Sequence, residues 1–177
     1  MKANLLILKI LFKIIIFIIV SINIIILNKK FNIISMNIYL KYFIISIVII
    51  FLDIGWISLN LTKYSKEVFK VQKVAMKLRY EHAIIAYIII LFSILYIAIP
   101  FTQQSIKINS GNKDIPIENK LLYAFIYGGA VGFSVFGIYN FTSLAIYKDL
   151  DVIIAITDTI WGTILYTLST FIYLLLP

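Results

Sequence analysis

A chain of 177 residues that is 62% hydrophobic and 14% charged, with a mean hydropathy of +1.03, lies outside the range of soluble globular domains. The absence of cysteine excludes disulfides, thiolate nucleophiles and cysteine-ligated metals, and a single histidine, His82, excludes imidazole clusters. The net charge of +8 has no soluble basic domain to act through, so it suits anionic lipid head groups rather than nucleic acid.

Five apolar runs, at about 4–27, 38–61, 82–101, 121–147 and 152–176, approach or exceed the roughly 18–20 residues needed to cross a bilayer. They predict an all-α polytopic transmembrane helix bundle: an N-terminal anchor and loop over 1–35, then a four-helix domain over 36–177. In the first run Lys9 and Lys13 can snorkel to the head groups. No small-x-small cleavage site precedes Asn28-Lys29-Lys30, so this run reads as a retained anchor rather than a signal peptide.

Between the second and third runs, residues 62–80 carry Lys63, Lys66, Lys70, Lys73, Lys77 and Arg79 against Glu67. Lys66, Lys70, Lys73 and Lys77 recur at helical spacing on one side, with Val68, Val71, Ala75 and Leu78 on another. The pattern predicts an amphipathic helix on anionic lipid at the membrane surface; a solvated charged loop is the alternative. So positive a short segment belongs on the cytoplasmic side, and the N-terminus and the 148–151 turn follow it there. The 28–37 and 102–120 loops then face outward. The second of these, with Asn109-Ser110-Gly111-Asn112 and Pro116, reads as a mobile, turn-rich connection.

Within the apolar runs the tetrad Asp-x-x-Trp occurs twice, as Asp53-Ile-Gly-Trp56 and Asp158-Thr-Ile-Trp161. A carboxylate inside a spanning helix costs roughly 2.5–3.5 kcal/mol on insertion scales, which makes it a functional candidate by default. At about 1.5 Å of rise per residue, Asp53, Asp158 and Asn140 lie ~12, ~9 and ~10 Å from the inner ends of their runs. Their faces agree with that depth. Tyr42, Ser46, Asp53 and Asn60 share one stripe with Trp56 beside it; Asp158, Gly162, Tyr166, Ser169 and Tyr173 share another with Trp161 alongside. The fourth run offers Asn140, Ser143 and Tyr147, and the third His82, Ala86, Ser93 and Tyr96. Polar faces on membrane helices turn away from lipid, so a polar interior open toward the cytoplasm is expected, with Asp53 and Asp158 approaching each other. Gly128, Gly129 and Gly132, with Ala124 and Ala130, give the fourth run a surface for close helix packing, and Gly162 joins it; a hinge or a passage for substrate is the other reading.

In chain order, Phe51-Leu-Asp-Ile-Gly-Trp56, Pro100 near the end of the third run, Tyr139-Asn-Phe-Thr-Ser-Leu-Ala145 and Asp158-Thr-Ile-Trp-Gly162 resemble the uncharacterised membrane family called domain of unknown function 2177, over residues about 38–177. The resemblance implies a four-helix core to which the first run is an addition, and it adds Tyr139 and Thr142 to the candidate polar site. Members occur in bacteria and large DNA viruses, and the Ile-, Asn- and Lys-rich composition suits an AT-rich viral source. Where the family pattern has Asp after Tyr, this chain has Asn140, and where it has Asn, this chain has Ser143. An amide keeps hydrogen bonding but loses proton exchange.

Two readings stand. In one, Asp53, Trp56, His82, Tyr139, Asn140, Thr142, Ser143, Asp158 and Trp161 form a paired-Asp site that binds or moves a small polar solute, a proton or a lipid head group. In the other, the acids, Asn140, Thr142, Ser143 and His82 satisfy one another and lock helix packing in a non-catalytic structural protein, and the Trp residues belong to the interfacial belt. A hydrolytic variant of the first lacks a nucleophile signature, a metal constellation and a phosphate loop, so no metal, no cofactor and no enzyme activity are expected. Membrane lipid is the expected partner.

Overall fold

In lipid a backbone N–H or C=O has no water to turn to, so even β-branched sequence runs as helix. The computed structural model describes residues 36–111 and 113–177, and among them every regular element is helical. Four helices are long and apolar enough to cross a membrane: α1, Ile38–Gln72; α2, Tyr80–Ser110; α3, Ile117–Ile146; and α4, Val152–Leu175. The expected count of five spans is therefore corrected to four among the described residues. The anchor expected over 4–27 lies outside them.

The chain divides into two compact units, one of residues up to Leu61 together with Ile172–Pro177, the other Thr62–Phe171. In the first unit, Asn37 caps α1 by accepting the Leu40 N–H at 2.8 Å, as a good N-cap residue does. Ile45, Ile49, Leu52 and Asp53 form its buried stripe. Polar side chains along it bond back to their own helix, Ser46 to the Tyr42 carbonyl and Asn60 to that of Trp56. Lys41 donates to the Leu176 carbonyl at 3.2 Å and satisfies one of the acceptors that a helix end leaves open.

In the second unit the basic segment departs from expectation. No separate surface helix forms over 62–80; α1 runs on to Gln72. Lys73 then adopts a left-handed conformation, φ 58°, with its N–H on the Phe69 carbonyl and its ammonium on that of Lys70. Residues 75–79 are non-helical. Lys66 and Lys70 thus sit on α1, while Lys73 and Lys77 lie beyond its regular end, and the four do not make one stripe.

Pro100 does not end α2 either. A π-helical turn, Ile94–Ala98, precedes it, and the Ile99 N–H reaches back to the Ile94 carbonyl. Such a turn re-routes the hydrogen-bond ladder where a proline removes a donor and crowds the preceding carbonyl. The helix continues to Ser110 and closes on Gly111 at φ 59°, so much of the loop expected over 102–120 is helix. A second π turn, Ala124–Gly128, lies in α3, and α2 and α3 pack together through these two turns.

The α3–α4 contact is made by glycines. A Cβ at Gly128 would stand 2.7 Å from Thr170 Oγ1, one at Gly129 2.7 Å from Thr167 Oγ1, and one at Gly132 2.7 Å from Tyr166 Cβ. Gly162 faces Phe136 as closely. With no side chain in between, the two backbones approach to a distance that larger residues forbid. The polar residues of α4 turn inward on themselves: Thr159, Thr163, Thr167 and Ser169 each donate to the carbonyl four residues back.

Candidate functional site

One end of the second unit gathers the last turns of α1, the close of α3 and the start of α4. Asp158, one and a half turns into α4, is half buried. Its Oδ1 accepts the Tyr64 hydroxyl at 2.8 Å and its Oδ2 the Asn140 amide at 3.0 Å, so one carboxylate ties α1, α3 and α4. Asn140, 6% exposed, also reaches Thr159 Oγ1 at 3.3 Å. Both donors are neutral, and each satisfies a lone-pair direction of the acid.

One turn beyond Tyr64, Glu67 is nearly buried and accepts the backbone N–H of Asp151 at 2.5 Å. Asp151 in turn caps α4 through the Ile153 N–H at 2.8 Å. The carboxylate of Glu67 thus lies at a helix N-terminus, where negative charge is favoured. Lys70 approaches it to 3.6 Å, but its side chain is 51% exposed, and a pair so wet adds little. Between these groups lies a cavity of about 240 Å³ walled by Tyr64, Glu67, Val68, Val71, Gln72, Tyr139, Asn140, Ser143, Tyr147, Leu150, Ile154 and Asp158.

Of the residues expected at a polar site, Tyr139, Asn140, Ser143 and Asp158 meet at this cavity. Ser143 is only partly buried and donates to the Tyr139 carbonyl. Thr142 is exposed, because two residues past Asn140 a helical side chain has turned about 200°. His82 is also exposed, in the first turn of α2, with Nδ1 3.2 Å from Glu81 Oε1. On α2 the expected polar face divides: Ser93 is buried, while Ala86 and Tyr96 are exposed. Asp53, 6% exposed, and half-buried Trp56 belong to the first unit; Trp161 is half buried on α4 and does not line the cavity.

Asp158 is held by a phenol and an amide, and the expected paired-Asp site is not evident among the described residues. Nor do they contain a group of three or more His, Asp or Glu able to hold a metal. Tyr64 and Glu67 are the site residues that sequence reasoning missed, and the signal was present: both continue the helical register of the second apolar run.

Away from the cavity, the second unit holds two further polar contacts. Ser93 of α2 hydrogen-bonds the Tyr166 hydroxyl of α4, and Lys120, buried at the start of α3, pairs with Asp114 at 2.8 Å.

A family model described as "Predicted membrane protein (DUF2177)" matches residues 38–175, which takes in all four helices. No curated protein and no solved structure matches the chain.

Proposed function

Because the chain belongs to the DUF2177 family of membrane proteins, we propose that it acts as a non-catalytic, multi-pass bundle whose intramembrane polar groups fix helix register. The observation that carries this reading is the shared carboxylate. Asp158 spends both oxygens on side chains of two other helices, and its neighbours Thr159, Thr163 and Thr167 spend their hydroxyls on their own backbone. In lipid, where apolar packing gives no preference for one rotation over another, such bonds select which faces meet. The Ser93–Tyr166 contact acts in the same sense, while the Lys120–Asp114 pair ties the preceding loop to the start of α3.

A double-mutant cycle on Tyr64→Phe and Asp158→Ala tests the lock. The expected coupling is about 1 kcal/mol, within the range of interhelical hydrogen bonds in membranes, read by unfolding in mixed micelles. Additive losses would leave the carboxylate without a locking role.

The same reading places the basic stretch from Lys63 to Arg79 in the cytoplasm, against anionic lipid. As the chain has no cysteine, single cysteines report the sides cleanly. Met76→Cys is expected to react with an impermeant maleimide only after permeabilisation, and Lys113→Cys in intact cells. The reverse pattern would invert the topology.

A further inference from the structure

The cavity beside Asp158 has a charge and a lining that a packing lock does not use. Both donors to Asp158 are neutral, and among the described residues no cation pairs with it. A carboxylate without a counter-charge inside a membrane helix is a costly arrangement. Here the acid borders open volume instead of a Lys or Arg. Glu67 adds a second carboxylate to the wall, balanced only by the half-exposed Lys70.

The remaining lining fits the same kind of occupant. Tyr64, Tyr139 and Tyr147 line the cavity, with Val, Leu and Ile between them, and Tyr139 and Tyr147 stand at its exposed rim. Rings beside a half-buried carboxylate make a site for an organic cation, because the ring quadrupole attracts positive charge without demanding a hydrogen bond. An ionised carboxylate offers about four lone-pair positions; Tyr64 and Asn140 occupy two, one on each oxygen. What remains can accept N–H bonds, which favours a protonated amine over a quaternary ammonium. The volume of about 240 Å³ falls below the roughly 300–1,000 Å³ of pockets for drug-sized ligands and suits a head-group-sized molecule.

We propose that this cavity binds a small protonated primary amine of ethanolamine size, with Asp158 as its counter-ion and the tyrosines as its walls. The amine can arrive free in water or as the head group of an aminophospholipid, and the test separates the two. The full chain in nanodiscs of phosphatidylglycerol, which has no amine, is titrated with ethanolamine hydrochloride against sodium chloride of equal ionic strength. In parallel it is placed in discs containing phosphatidylethanolamine, and the thermal midpoint is read in each.

A saturable rise with ethanolamine identifies the soluble amine; a rise only with phosphatidylethanolamine identifies the head group. Asp158→Asn keeps the shape and much of the hydrogen bonding but removes the charge. It is expected to abolish the lipid effect, or to raise the half-saturating ethanolamine concentration about tenfold or more. Tyr147→Leu is expected to raise that concentration about threefold. A midpoint that tracks ionic strength alone in both lipids overturns the proposal, as does an Asp158→Asn protein that responds like the parent. Should Asp158→Asn fail to fold, Glu67→Gln and Tyr147→Leu decide, and a response unchanged in both overturns it.

Discussion

Replacing Tyr166 with alanine is expected to destabilise the protein by about 3 kcal/mol, near the lower end for removing a large buried aromatic side chain. Tyr166 is fully buried and sits where three helices of the second unit meet. Its ring stands edge-on to Phe136 of α3, with centroids 6.3 Å apart and planes at 83°. Its Cβ lies over Gly132, and its hydroxyl is bonded to Ser93 of α2. The lower end applies because lipid tails are as apolar as the core, so the transfer term is small and the loss is mainly dispersion contacts across the cavity. Tyr166→Phe retains the ring and is expected to cost about 1 kcal/mol or less, since Ser93 still donates to the Ile90 carbonyl at 2.9 Å. Denaturant-micelle unfolding measures both. A Tyr166→Ala loss as small as that of Tyr166→Phe would mean that the ring is not a keystone.

That contact shows what the sequence discloses and what it withholds. Ser93 and Tyr166 each lie on a stripe predicted by spacing of three and four residues, and the stripe of α4, from Asp158 through Gly162, Tyr166 and Ser169 to Tyr173, is half buried to fully buried along its length. Periodicity is legible because lipid penalises a polar group facing outward. Partners are not legible in the same way. Asp158 repeats the tetrad of Asp53, and the repetition suggests that like meets like. The bond actually goes to Tyr64, whose segment reads as a surface helix because its lysines recur at helical spacing opposite Val68, Val71, Ala75 and Leu78. The missing information is where α1 ends. A charged run marks the membrane boundary, whereas the helix stops at Lys73 for reasons of local backbone geometry. The π turns are hidden similarly, since an i→i+5 bond leaves no compositional mark, and Pro100 then reads as a helix end when it is an interior residue of α2.

Gly132 and Gly137 lie on the same helix and are both buried, yet alanine is expected to act oppositely at the two. At Gly132 a new Cβ meets the Gly162 carbonyl oxygen and comes within 2.7 Å of Tyr166 Cβ. Neither neighbour is the far end of a flexible side chain, so α3 and α4 must separate. Overpacking of this sort costs about 1–3 kcal/mol, and the separation would also loosen the other close glycine contacts along the seam. At Gly137 the nearest atom is Thr159 Cγ2 at 3.6 Å, an ordinary contact. There Gly137→Ala gains up to about 1 kcal/mol of helix propensity and is expected to be neutral or mildly stabilising. Propensity alone predicts the same sign at both positions, and only the geometry of the seam separates them. Equal unfolding midpoints for Gly132→Ala and Gly137→Ala would show that the two helices do not approach as closely as their glycines permit.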